Sequence, residues 1–214
     1  TGDEEFQLVV SPRMRPLHEG YGPNVSYLAF PWSNERQKLR TVSEHALAPF
    51  LLRRAGSDIF STLIAPAVKP TPAVVAHFKT LHAYTEPGAI KPAARLYRRM
   101  SYPRTCRMAD AIIINSESLR REVHKYLDVD PAKLHLIPEA VDHELFRESD
   151  RDEAWDVVRT RYGVSRNFVL FVSSLWAYKN CEGLLRAFAA VRSQLGDRQL
   201  VVVGSGRDVE YVQR

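Results

Sequence analysis

The chain has 214 residues, enough for one or two domains with a substantial core. Its 45% hydrophobic and 26% charged residues are the mix of an ordinary globular protein, and no run approaches the roughly 18 apolar residues of a membrane span. The net charge of +5 comes without a nucleic-acid-binding motif, so nucleic acid is not expected as a partner.

Strand patterns alternate with helix patterns along the chain, the signature of an α/β fold with parallel sheets. Phe6 to Ser11 and Val25 to Phe30 read as strands, separated by a loop rich in Pro and Gly (Pro12, Pro16, Gly20, Gly22, Pro23). Arg36 to Arg54 reads as an amphipathic helix interrupted near Pro49, with Leu39, Val42, Leu47, Phe50 and Leu51 on one side. Strands are expected at Asp58 to Leu63 and Ala73 to Phe78, with the Pro-rich link Ala65 to Pro72 between them. A helix over Lys91 to Arg107 follows, then a strand from Ala111 to Asn115. Ser116 is placed to cap the next helix, whose outer face carries Glu117 and Glu122. Lys133 to Pro138 gives one more strand.

Around His143 to Asp152 charge is dense and apolar residues are few, which marks a domain boundary; we divide the chain into 1–146 and 147–214. Beyond it come a helix (Ala154 to Tyr162), a buried strand from Phe168, a helix from Cys181 to Leu195, a strand from Gln199 to Val203 and the start of another helix. The strand at Phe168 runs into a short polar loop that delivers Lys179 just ahead of a helix starting near Asn180. Backbone N–H groups and the helix dipole favour an anion there, and a flexible ammonium suits a phosphate; the plain alternative is a surface lysine after a strand.

Three stretches resemble one family in the order that family has them. Val172-Ser-Ser-Leu175, Tyr178-Lys-Asn180 and Gly183 to Phe188 resemble the donor-binding segment of GT-B glycosyltransferases of family 4, the "group 1" enzymes. Arg107 to Glu122 resembles the strand and capped helix that close the first domain. Lys133 to Pro138 with Glu139 to Phe146 resembles the crossover to the second, with Glu139-Ala140 where the family usually has Asn-Gly. The resemblance runs from about Val74 to Gly206. It implies two Rossmann-like, doubly wound parallel-sheet domains: an acceptor-side domain over 1–146 and the beginning of a nucleotide-sugar domain over 147–214. The family's opening strand and Gly-rich loop are not found ahead of Phe6, nor its acidic Glu-x7-Glu motif before Arg214. The expectation is therefore a fragment, inactive by itself and prone to associate.

The implied activity is transfer of a sugar from a nucleotide diphosphate-sugar to a hydroxyl acceptor, with retention and without a metal or other cofactor. In the family an Arg and a Lys grip the donor diphosphate. Lys179 stands at the Lys position, but Ser174 stands at the Arg position, and a hydroxyl supplies neither the charge nor the bidentate fork. Gly204, after the strand Gln199 to Val203, matches a family glycine that lets backbone approach the donor, although a plain tight turn explains it equally. A histidine following the strand Ala73 to Phe78 is implied to reach the transferred sugar. His77 and His82 both qualify, and the loop position favours His82 as the catalytic candidate. Glu139 and Asp142, at the crossover, either face the cleft with His77 or cap local structure, while Lys79 and Glu86 read as solvated lone charges.

Between Pro87 and Ala109 there are six basic residues and no acidic one. Arg95, Arg98 and Arg99 lie at helical spacing, giving either a solvated face or a contact for an anionic membrane or phosphorylated acceptor. Cys106 and Cys181 have neither zinc nor disulfide spacing, so the expected location is cytoplasmic, with the basic stretch 91–107 as the candidate for peripheral contact at the inner membrane face. Two rivals stand beside transfer: a GT-B-fold NDP-sugar epimerase or phosphorylase, and a degenerate GT-B-like protein that binds without turnover.

Overall fold

The computed structural model describes residues 4–10, 15–17, 22–29, 41, 43–66 and 68–205. Packing divides the chain into two units. The first takes residues up to Thr85 together with Pro92–Glu139, and the second takes Glu86–Lys91 with the residues from Ala140 onward. Every strand pairing described is parallel, in keeping with the α/β expectation.

In the first unit, β1 (Phe6–Val10) pairs with β2 (Val25–Ala29), Phe6 opposite Val25 and Val10 opposite Ala29. A four-stranded sheet runs in the order β3 (Ile59–Thr62), β4 (Ala73–Phe78), β5 (Ala111–Ile114), β6 (Leu134–Leu136). Helix α1 (Ala48–Arg54) enters from one π-helical turn, Ser43–Leu47, with Pro49 in its first turn, where the missing N–H costs nothing. The expected interruption at Pro49 is thus a helix start. The Arg36 to Arg40 part of that expected helix lies outside the described residues, as do Ser11, Phe30, most of the Pro- and Gly-rich loop and the helix expected after Gly206.

A period of two decides which side of β4 is core. Val74, Ala76 and Phe78 are buried, whereas Ala73, Val75 and His77 are only partly so. On β5, Ile112 and Ile114 are buried likewise and pair with Leu134 and Leu136 of β6. Each such side chain contributes roughly 1.5–3 kcal/mol by leaving water. Three more helices follow these strands: the short α2 (His82–Thr85), then α3 (Pro92–Met108) and α4 (Glu117–Tyr126). Ser116 caps α4 as expected, its hydroxyl accepting from Leu119 N at 3.2 Å, and Leu119 and Val123, four apart, are buried.

Aromatic rings tie these helices to the sheet. Tyr102 of α3 lies 5.1 Å from Phe78, and Tyr84 of α2 stacks on both Tyr102 and Tyr126. Buried Thr105 accepts from Ala65 N at 3.0 Å, and Arg104 donates to Ala65 O at 2.9 Å, so α3 also holds the link between β3 and β4.

The second unit holds α5 (Arg151–Tyr162), β7 (Phe168–Val172), α6 (Cys181–Ala190) and β8 (Gln199–Val203). Asp150 caps α5 by accepting from Asp152 N and Glu153 N, and Gly163 ends it with a φ of 63°. The expected helix to Leu195 stops at Ala190 and continues as a 3₁₀ turn, Arg192–Gln194. β7 forms as expected but is not a buried strand. Val169, Leu170 and Val172 are exposed, Val172 by 67%, because two strands cannot cover one another's faces.

Candidate functional site

The expected site residues fall in two groups, one in each unit. In the first unit they gather at the carboxyl end of the four-stranded sheet, the edge where parallel α/β folds place ligands. His77, one residue from the end of β4, lies on the half-exposed face, its Nε2 2.7 Å from Ser61 Oγ of β3. Partial burial, and next the positive charge of Lys79, hold its pKa below the ordinary histidine value. The neutral ring is therefore favoured, able to accept a proton or hydrogen-bond a hydroxyl at neutral pH.

Lys79 is exposed, as expected, but not alone: its Nζ lies 3.3 Å from a carboxylate oxygen of Glu139, which follows β6. Two contacts, Ser61 with His77 and Lys79 with Glu139, thus lie at this end of the sheet, and the charge of Lys79 is felt at the His77 ring. His82 begins α2 and is half-buried between Leu81 and Ala83, both buried. Ser61 escaped the sequence reading, since no local signal tells which serine a histidine meets across two strands.

In the second unit, β7 leads through Ser173 and Ser174 to a single 3₁₀ turn, Ala177–Lys179. Ser174 and Lys179 are exposed, and Lys179 Nζ lies 5.3 Å from the centre of the Tyr178 ring. Asn180 adopts a left-handed conformation (φ 55°), and its side chain caps α6 by accepting from Gly183 N at 3.2 Å. The lysine therefore sits at the joint between strand end and helix start, as expected from sequence. Asn180 and Gly183 are a positioning pair the sequence reading did not single out. A Cβ on Gly183 would lie 2.5 Å from Asn180 Oδ1, so the cap needs that glycine; the Asn-x-x-Gly spacing was the available signal.

Gly204 has a structural reason of its own. A Cβ there would overlap the Ser173 carbonyl oxygen, so β7 and β8 close together only because this position lacks a side chain. Asp142 acts as a local cap, accepting from Glu144 N at 2.9 Å and Leu145 N at 3.1 Å.

The basic helix α3 spends part of its charge on its own unit. Arg95 donates to Ala83 O at 3.2 Å, Arg99 lies 5.1 Å from the Tyr84 ring centre, and Arg104 serves Ala65. Leu96 and Met100, one helical turn apart, remain exposed by 62% and 69%. Cys106 and Cys181 are both buried, and burial raises the Cys106 thiol to about 11, which leaves it inert. Among the described residues, no three His, Cys, Asp or Glu are grouped to hold a metal ion, and no helix is long and apolar enough to cross a membrane.

No curated protein matches the chain. The family described as Glycosyltransferase Family 4 matches residues 5–145, well over half of the sequence and the whole run from β1 past Glu139, and the chain belongs to that family.

Proposed function

We propose that this chain serves an enzyme moving a sugar from a nucleotide diphosphate-sugar to a hydroxyl acceptor, with retention at the anomeric carbon. Family membership over 5–145 carries the transferase class. The donor assignment rests on one observation, the placement of Lys179 at the joint between β7 and α6. Its ammonium would neutralise the charge building on the leaving diphosphate, helped by the Ser174 hydroxyl and by backbone approach at Gly204. His82 would contact the transferred sugar or the acceptor, with His77, Glu139 and Asp142 as further cleft residues. Residues 1–146 then act on the acceptor side and 147–214 open the donor side. No metal is assigned a part.

A second reading keeps a specific support: Ser174 stands where a guanidinium would be expected, which favours a protein that binds donor without turning it over. Nucleotide release, measured over a panel of NDP-sugars with the full polypeptide, separates the two, and interconversion of donor epimers would indicate the epimerase reading. Lys179→Ala should lower kcat or raise donor KM by roughly 10- to 1000-fold, as for loss of one charge-stabilising group. Wild-type kinetics in that variant would remove Lys179 from the donor site. The exposed Leu96 and Met100 among the basic residues of α3 support peripheral contact with an anionic membrane, at the cytoplasmic face.

A further inference from the structure

A serine and a histidine sixteen residues apart meet near the carboxyl end of the four-stranded sheet, and their meeting follows from the register. Parallel pairing sets Ser61 of β3 opposite Val75 of β4. His77 lies two residues beyond Val75, so it shares that side of the sheet with both. The imidazole reaches diagonally back across the pair, bringing Nε2 to 2.7 Å from Ser61 Oγ. On its other flank Ile113 of β5 stands opposite His77, and Ile113 and Val75 are both partly buried. The ring is thus held between a hydroxyl on one neighbouring strand and an apolar side chain on the other.

This contact uses one ring nitrogen and leaves the other. A neutral imidazole has one N–H and one bare nitrogen, and the bond made by one fixes the state of the other. Ser61 takes Nε2, and among the described residues nothing meets Nδ1. A hydroxyl can donate or accept, so either tautomer of the neutral ring suits Ser61. The two differ once the ring gains a proton, because both nitrogens of an imidazolium are donors. A serine that donates to Nε2 then has to turn round, whereas one that accepts from Nε2–H stays in place. Only the second arrangement serves both charge states without rearrangement, and it leaves Nδ1 bare in the neutral ring. Burial and then the charge of Lys79 favour that neutral ring.

We propose that Ser61 is a positioning residue: its Oγ accepts from His77 Nε2–H, holds the ring in that tautomer, and leaves Nδ1 as the acceptor for a substrate hydroxyl. The inference rests on the sugar-transfer reading and on His77 as one of its cleft residues. A sugar or acceptor O–H then donates to Nδ1, while Nε2–H stays on Ser61 throughout. Ser61 touches no substrate in this arrangement and acts only through the ring. It gives β3 a part in a site otherwise built from residues that follow β4 and β6.

The first test is NMR of the ring nitrogens in isotopically labelled protein, with the His77 signals assigned by their loss in His77→Gln. At a pH where the ring is neutral, the wild type should show Nε2 protonated and Nδ1 bare. Ser61→Ala should let the ring fall into a mixture of both tautomers, and Ser61→Thr, which keeps the hydroxyl, should restore the wild-type pattern. A wild-type ring protonated on Nδ1, or a Ser61→Ala ring with the wild-type pattern, would overturn the proposal. The second test is nucleotide release from a panel of NDP-sugars by the full polypeptide. Ser61→Ala should lower kcat roughly tenfold with donor KM little changed, as for a misplaced reacting group, and Ser61→Thr should recover most of the rate. An unchanged kcat in Ser61→Ala would remove the positioning role. Silence of the wild type with every donor would instead defeat the transfer reading, and the ring spectra would still decide whether Ser61 sets the tautomer.

Discussion

Asp110 holds the start of β4 and β5 together, and its removal has a calculable cost. Its Oδ2 accepts from Val74 N at 2.8 Å, while Oδ1 and Oδ2 lie 2.9 and 2.8 Å from Lys69 Nζ. Its own N–H donates to Val74 O at 2.9 Å, so the two residues clasp each other. Val74 is fully buried, and without the carboxylate its N–H loses a charged acceptor, worth roughly 1.5–3 kcal/mol. The Lys69 pair adds little, since the Asp110 side chain is 49% exposed and exposed pairs give about 0–1 kcal/mol. Asp110→Ala should therefore destabilise the first unit by about 2 kcal/mol. Asp110→Asn, which keeps an acceptor for Val74, should cost roughly 0.5 kcal/mol.

The pH dependence gives a second handle on the same residue. The Lys69 hydrogen bond first, then the Val74 amide, hold the Asp110 carboxyl below its ordinary value. A depressed acid stabilises fully above its unfolded value of about 3.9, and that stabilisation is lost as pH falls through the folded value. The difference between wild type and Asp110→Ala should then persist from pH 7 to 5 and shrink below about pH 4. Native-state hydrogen exchange of Val74 to Phe78 is the suitable assay, because it reports the first unit alone. A loss below about 0.5 kcal/mol in Asp110→Ala, or a gap unchanged at pH 3, would refute the clasp.

Three further outcomes are expected. His77→Gln should flatten the pH dependence of first-unit stability. A histidine with a lowered folded pKa costs stability as pH falls through about 6.5, the unfolded value, and the loss is complete below the folded value; an unchanged slope between pH 7 and 5 would place the ring in solvent. Gly204→Ala should weaken the second unit by roughly 1–3 kcal/mol, through overlap with the Ser173 carbonyl, read as faster exchange of β7 and β8 amides. Normal stability with weakened donor binding would instead assign the glycine to the ligand. Replacing Arg98 and Arg107 by Gln leaves the contacts made by Arg95, Arg99 and Arg104 and should reduce partition onto anionic vesicles roughly 30-fold at low salt, from about 1 kcal/mol per charge. A wild-type chain that ignores such vesicles would end the membrane proposal.

The sequence by itself determined the elements and their kind. Short apolar runs rich in β-branched residues placed β4 at Ala73 to Phe78, and β8 at Gln199 to Val203, to the residue, because that composition acts locally. Ser116 was legible as a cap for the same reason, its partner lying three residues away. Lys179 was legible as a strand-end, helix-start residue, since that position needs only the two neighbouring elements. The tertiary structure alone decided what meets across the sheet. Ser61 and His77 are sixteen residues apart, and Lys79 and Glu139 lie on different segments; only parallel pairing of β3, β4, β5 and β6 brings them within reach. It also decided that β7 is exposed where its apolar run suggested burial. Hydrophobicity states what a strand would gain by burial; whether a neighbour arrives to bury it is a property of the assembled sheet.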